Sequence, residues 1–276
     1  MEFSPEYLDY HPIFSDEEIR YMSALSNEYS YDQFISDHQT FEERSIDYAF
    51  VSSKIEGNQY SKKGASLLLK YGFTEYGKTM QDAMMLVNLR DTFVDVTLAA
   101  DETIENVLSK RYVCTVHSEV SDKLLQACDR GQVRHRHVTI SGSDYIPLDS
   151  PYLLDEQLTR LLAVALSIEN PFEQAVYVHC NLAYLQYFKD CNKRVARLMQ
   201  TAVMAANKRI PIFLQESAIQ DYLKAVLAYY ETGNYQDYKK LFVQEYEHTI
   251  KQLLGSAPEQ IEAQERALEK IRSRRK

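Results

Sequence analysis

Apolar residues recur at three- and four-residue spacing along most of the chain, the period of a helix with one buried stripe. After Asn192 the set Val195, Leu198, Met199, Ala202, Val203 and Ala206 predicts such a helix. The same pattern predicts a helix from Asp16 to about Asn27 and another that begins after Thr40 and stops at Gly57-Asn58. Residues 61 to 100 read as continuing helix, including Thr79 to Ala100 with Leu86, Leu89, Phe93 and Val96 on its apolar face. Further helices are predicted over Ile104 to Ala127, Asp155 to Glu169, Pro171 to Leu185, Ser217 to Thr232 and Tyr235 to Leu254. His117 and His179 sit among apolar neighbours in these runs and are expected to pack rather than to bind a ligand. One stretch departs from the pattern. Gln132 to Ile140 alternates, Ser141-Gly142-Ser143-Asp144 reads as a turn and Tyr145-Ile146-Pro147 follows, which predicts a β-hairpin. The alternating Arg134, His135, Arg136 and His137 fit a solvated strand face or a binding surface equally well. Glu259 to Lys276 is charged and reads as a solvated helix or frayed tail.

Composition supports this picture. With 276 residues and 45% hydrophobic content the chain can bury a sizeable core, as one compact domain or two closely packed ones, and 8 Gly with 7 Pro favour long helices. The class is mainly α. A net charge of −9 argues against a general nucleic-acid or anionic-membrane binder, since such binding needs a basic surface. No window approaches the roughly 20 apolar residues of a membrane span, and the first residues show no basic region followed by an apolar run. Cys114, Cys128, Cys180 and Cys191 lack paired metal-ligand spacing and are expected to be reduced thiols. The expectation is a cytoplasmic protein.

The candidate chemistry lies at the start of the helix that follows Asn192. Asp190 and Asn192 suit a helix N-terminus, whose free N–H groups and partial positive charge attract anions. Arg194 and Arg197, three apart on one face, add two guanidinium groups, so this turn is a candidate phosphate site. Cys191 admits two readings: a thiol of lowered pKa beside Arg and Lys, or a small residue filling its position. Further upstream, the helix ending at Gly57 carries Glu56 in its last turn. A carboxylate there opposes the helix dipole and calls for a cationic partner. Ser53-Lys54-Ile55-Glu56 also fits a capping box opening a helix, though Gly57 speaks against that.

Residues Leu185 to Arg197 resemble the signature of the Fic (Fido-domain) family, His-Pro-Phe-x-Asp/Glu-Gly-Asn-Gly/Lys-Arg-x-x-Arg. Phe188, Asp190, Asn192, Lys193, Arg194 and Arg197 match it, while Gln186, Tyr187 and Cys191 stand where the family has His, Pro and Gly. The Asn-Lys-Arg form is a variant found within the family, including death-on-curing toxins that act as kinases. Ser52-x-x-x-Glu56-Gly57 is similar to the family's inhibitory motif, and Val138 to Pro147 resembles its target-aligning flap, with Ile140, Gly142, Ser143 and Tyr145 at the flap positions.

The resemblance implies a mainly α Fido fold with one β-hairpin flap. It divides the chain into an N-terminal helical region over 1–105 carrying the inhibitory helix at about 41–57, a Fido core over 106–250 and a charged C-terminal helix or tail over 251–276. It implies binding of ATP with Mg²⁺ and transfer of AMP onto a hydroxyl of a target protein segment. In that scheme Asp190 holds Mg²⁺, the Asn192 to Arg194 backbone forms the anion hole with Lys193 among the nucleotide-binding residues, Asn192 and Arg194 contact the α- and β-phosphates, Arg197 holds the γ-phosphate, and Glu56 pairs with Arg197 to inhibit. Gln186 occupies the base position, and losing a general base costs about 10²–10⁴-fold in rate, because an amide cannot take up a proton near neutral pH. A pseudoenzyme that binds nucleotide or a protein segment without chemistry is therefore the alternative; kinase-like transfer is a third reading, and a homo-oligomer is left open.

Overall fold

Short polar side chains close most helix starts, which fixes where the helices begin. In the computed structural model, which describes residues 1–99 and 101–273 and their side chains as far as Gly255, the helices in chain order are α1 (Asp16–Glu28), α2 (Tyr31–Ser36), α3 (His38–Ile55), α4 (Lys62–Tyr71), α5 (Met80–Leu98), α6 (Ile104–Val107), α7 (Lys110–Val120), α8 (Pro151–Leu166), α9 (Pro171–Leu185), α10 (Asn192–Ala206), α11 (Ile219–Thr232) and α12 (Gln236–Ser273). Ser15 and Thr79 form capping boxes with Glu18 and Asp82. Asn170 Oδ1 accepts from the Phe172 and Glu173 amides at 3.0 and 3.2 Å, with Pro171 at the first helical position.

The packing is organised around α9. Every residue from Phe172 to Leu185 is buried, as a helix without a polar face requires. α10 packs along it, α8 covers another side, and α5 and α7 lie against α10. α3 packs on α5 and touches α11, while α12 runs beside α11 and α1. One apolar cluster extends from Leu8 to Leu253. Glu173 is the buried carboxylate on α9. Its Oε1 accepts from the Ile13 and Phe14 amides at 2.8 and 3.0 Å, and Tyr10 donates its hydroxyl to Oε2, so it ties the first residues to the core.

Several expected elements differ from those found. The run over 61 to 100 is broken: α4 ends at Gly72, which caps it with φ +76°, and α5 begins after Thr79. Ala100 lies outside the described residues. The run from Ile104 to Ala127 is also two helices, because Ser109 caps a new one, with Oγ accepting from the Tyr112 amide at 3.1 Å. α7 stops at Val120, so Leu124 and Leu125 lie in turns. α2 had no counterpart in the expectation, and α3 starts at His38, where Asp37 accepts from the Thr40 amide at 3.1 Å. α8 spans Pro151–Leu166 rather than Asp155 to Glu169, and α12 passes Leu254 to reach Ser273. The charged side chains expected to be solvated over 259 to 276 lie outside the described side chains.

The hairpin is the main correction. No strand pair forms over 132–147; the isolated bridge in this region joins Ile146 to Glu2 in parallel. Each arm is held by the core instead of by the other arm. The Arg134 amide donates to the Tyr187 carbonyl at 3.1 Å, and the Tyr145 hydroxyl donates to the Tyr184 carbonyl at 2.8 Å. What remains of the flap is an extended segment and a turn with Gly142 at φ +82°. Among the described residues no helix is long and apolar enough to cross a membrane.

Candidate functional site

Residues 186–191 join α9 to α10, and two left-handed residues bracket them. Gln186 at φ 49°, ψ 47° ends α9, and Cys191 at φ 64°, ψ 9° opens α10. Such conformations in non-glycine residues need outside support. Asn192 supplies part of it. Its Oδ1 accepts from the Phe188 amide at 2.9 Å, while Nδ2 donates to the Phe188 carbonyl at 2.8 Å and to Gln186 Oε1 at 3.1 Å. Gln186 Nε2 donates to the Ala183 carbonyl at 2.7 Å, so both ends of that amide are engaged.

Two further residues hold the loop from below and behind. His117 lies flat on Phe188, ring centroids 3.8 Å apart, accepts the Gly131 amide at Nδ1 (2.8 Å) and lies 3.2 Å from the Asp190 carbonyl through Nε2. The Gly131 bond makes Nε2 the protonated nitrogen. Burial foremost, with the charge of Arg194 behind it, pushes the His117 pKa down to about 4. Arg134 is buried, and its fork donates from Nε to the Gln186 carbonyl (2.7 Å), from Nη1 to the Arg136 carbonyl (2.8 Å) and Asp149 (3.0 Å), and from Nη2 to the Leu148 carbonyl. His135, Arg136 and His137 are exposed, so the alternating tract divides into one internal staple and three surface residues.

Behind the loop, Arg197 is 5% exposed and collects acceptors from two helices, α3 with its C-cap and α11. Nε donates to Ser52 Oγ (2.9 Å), Nη1 to the Tyr222 hydroxyl (3.0 Å), and Nη2 to the Ser52 carbonyl (3.2 Å) and Glu56 Oε1 (2.8 Å). Glu56 is the C-cap of α3, and Lys193 Nζ stands 3.6 Å from its other oxygen. Burial raises the Glu56 pKa, but Arg197, Lys193 and Arg194 outweigh it and hold the carboxyl below its ordinary range. His179 is fully buried, 3.1 Å from the Tyr222 hydroxyl through Nε2, and does not reach the loop.

In front of the loop lies an open cleft of about 400 Å³, lined by Glu56, Gln186, Lys189, Asp190, Cys191, Asn192 and Lys193, by Val138 to Ser141, and by Leu223, Val226, Leu227 and Tyr230 of α11. The Asp190 side chain is 62% exposed, with Oδ1 accepting from the Cys191 amide at 2.5 Å and 3.4 Å from Arg194 Nη2. Arg194 Nε and Nη1 are buried without a partner. Lys189 is held by Asp129 at 2.5 Å. Among the described residues no three His, Cys, Asp or Glu side chains group into a metal cage. Cys191 is buried, and burial foremost pushes its thiol up to about 12; of its two readings the lowered pKa fails, because desolvation exceeds the pull of Arg194.

The structure thus gathers Gln186, Asp190, Asn192 and Lys193 at one end of the cleft, with Arg194 beside them, and brings Ser52 and Glu56 to Arg197. Of the flap residues, Ile140 lines the cleft. Gly142, Ser143 and Tyr145 build and anchor the turn, with Ser143 Oγ donating to Glu231 at 2.8 Å. Sequence reasoning placed Arg134 only in an alternating tract that fitted a solvated face or a binding surface, and it missed Tyr222, because an ordinary position on an apolar stripe carries no motif. A sequence profile of the Fic/DOC family matches residues 107–204, a span that runs from His117 through Arg134 to Arg197. Over that span the chain is similar to Fic domains. Comparison with curated protein sequences gives no match. Solved structures with the same fold include Fic-1 from C. elegans, with 19% identity, a TM-score of 0.70, and coverage of 87% of this chain and 71% of that one. A Fic family protein from Desulfovibrio desulfuricans G20 has 14% identity and a TM-score of 0.74, covering 90% of this chain and 78% of that one. A Fic domain containing signaling protein from Bacteroides thetaiotaomicron VPI-5482 has 15% identity and a TM-score of 0.67, covering 85% and 95%.

Proposed function

We propose that this Fic domain binds a magnesium-bound nucleoside triphosphate, ATP in the first instance, across the start of α10, and that Glu56 restrains it from transferring AMP to a hydroxyl of a target protein segment. The observation that carries this reading is Arg194, whose Nε and Nη1 are buried with no acceptor beside the free amides of a helix N-terminus. Leaving a buried charged donor unsatisfied costs more than about 1–3 kcal/mol, which an anion at this turn would remove. One exposed carboxylate, Asp190, fits Mg²⁺, which takes its remaining oxygens from phosphates and water. Magnesium bound there would neutralise phosphate charge.

The chain's own residues have separate tasks in this scheme. The α10 amides and Arg194 hold the phosphates, and Asn192 keeps the loop in its left-handed turns. Glu56 occupies the Arg197 donor that a terminal phosphate would take, so the resting protein binds the triphosphate in an unproductive pose. Gln186 removes no proton, and its amide is already committed to Asn192 and Ala183. That commitment favours a second reading, a binding module without chemistry. The decisive experiment is incorporation of α-phosphate-labelled ATP with Mg²⁺ into the Glu56→Gly protein and cell lysate, beside Glu56→Gly with Gln186→His. Label in the first supports transfer despite Gln186; label only in the second supports the binding module; label in neither, with no binding of Mg-ATP, removes the nucleotide reading.

A further inference from the structure

The cleft has two chemically different ends. Phosphate-binding groups crowd one end, around Asp190 to Lys193 and Glu56. The rest of the lining is the α11 face Leu223, Val226, Leu227 and Tyr230, at i, i+3, i+4, i+7 spacing, opposite the extended segment from Val138 to Ser141. The turn closes the outer end, since a Cβ on Gly142 would lie 3.6 Å from Leu227 Cδ1. On the nucleotide reading, this slot is the part of the cleft left for the base of a triphosphate seated on α10. Among the described residues, the polar side chains lining this part of the cleft are the hydroxyls of Thr139, Ser141 and Tyr230. A hydroxyl rotates to donate or to accept, so it satisfies an amino and a keto edge alike. The Tyr230 oxygen already faces Gln186 Nε2 at 3.4 Å.

We infer that this site discriminates little between nucleobases and selects its ligand by the triphosphate, accepting purine and pyrimidine nucleotides. The inference rests on the nucleotide reading above. Its physical basis is that apolar walls separate analogues by about 10–200-fold at most, whereas fixed hydrogen-bonding groups reject a wrong partner by about 10⁴–10⁵-fold. The open mouth of the cleft lowers the figure further, because a base that stays partly hydrated loses little when its edge is unread.

The test uses the full chain carrying Glu56→Gly, titrated calorimetrically with the magnesium complexes of ATP, GTP, CTP and UTP. The expected result is four dissociation constants within about tenfold of one another. A preference above about 100-fold for one base overturns the inference, and means that the backbone of Val138 to Ser141 reads the base edge. Binding of none overturns the nucleotide reading itself, which distinguishes the two failures. A second variant locates the base. Leu227→Asn puts a fixed donor and acceptor on the wall and is expected to open the spread among the four to tenfold or more. Ratios unchanged by Leu227→Asn, in a protein that still binds, overturn the assignment of this wall to the base.

Discussion

Removing the Glu56 carboxylate tests the proposed restraint most directly. In the resting protein Arg197 gives one guanidinium N–H to Glu56 at 2.8 Å while Ser52 and Tyr222 hold the rest of the fork. Glu56→Gly therefore frees a donor that is already oriented. A charge-assisted hydrogen bond to a terminal phosphate is worth about 1.5–3 kcal/mol, so Mg-ATP should bind about 10–150-fold more tightly than to the wild type. Mg-ADP lacks the terminal phosphate, and its affinity should change less than about threefold. Calorimetric titration of both proteins with both nucleotides measures this directly. Equal gains for ATP and ADP, or none for ATP, would refute the claim that Glu56 and the terminal phosphate compete for Arg197. The same substitution leaves a buried guanidinium with one fewer partner, so thermal stability should fall even as affinity rises.

Other consequences can be measured independently. His117 has a folded pKa of about 4 against an ordinary 6.5, so the unfolded chain binds the extra proton between those values and stability falls as pH drops through that window; from pH 7 to 5 the loss is about 2 kcal/mol. Urea unfolding at the two pH values should lose that much of its pH dependence in His117→Phe, which keeps the stack on Phe188. Arg134→Met leaves the Gln186 and Leu148 carbonyls unpaired and should cost about 2–4 kcal/mol, with faster amide exchange over 143–147. Arg134→Lys, which keeps the charge but not the fork, should recover only part of this. The Cys191 thiol, raised to about 12, should alkylate at pH 8 far more slowly than the exposed Cys128, as peptide mass spectrometry would show.

The parts of the site that were legible in the sequence are those in which chemistry fixes both residue type and spacing. Glu56 at the end of its helix could be paired with a distant arginine only because each belonged to a motif; 141 residues separate them along the chain. Periodicity found the apolar stripe of α10 but missed the breaks at Gly72 and Ser109, where a cap interrupts a hydrophobic rhythm that runs on regardless. Alternation at 132–140 suggested strand pairing because it records two-sidedness and says nothing of what covers each side. Here a buried guanidinium and the loop carbonyls take the hydrogen bonds a second strand would have taken. Tyr222 was invisible for a related reason: a tyrosine on an apolar stripe looks like packing until its hydroxyl is seen between Arg197 and His179.

Tyr222 also sets a limit on how such a chain can change. Its hydroxyl steadies the guanidinium that Glu56 grips, and the next residue, Leu223, forms part of the wall across the cleft. The Arg197 support and the cleft wall are therefore written on adjacent positions of one helical turn. A substitution that shifts α11 to reshape that wall also tilts the support beneath Arg197, and one that repositions Tyr222 moves the wall. The two properties can drift together with small steps, but a lineage that altered one alone would need compensating changes on α3 or α10.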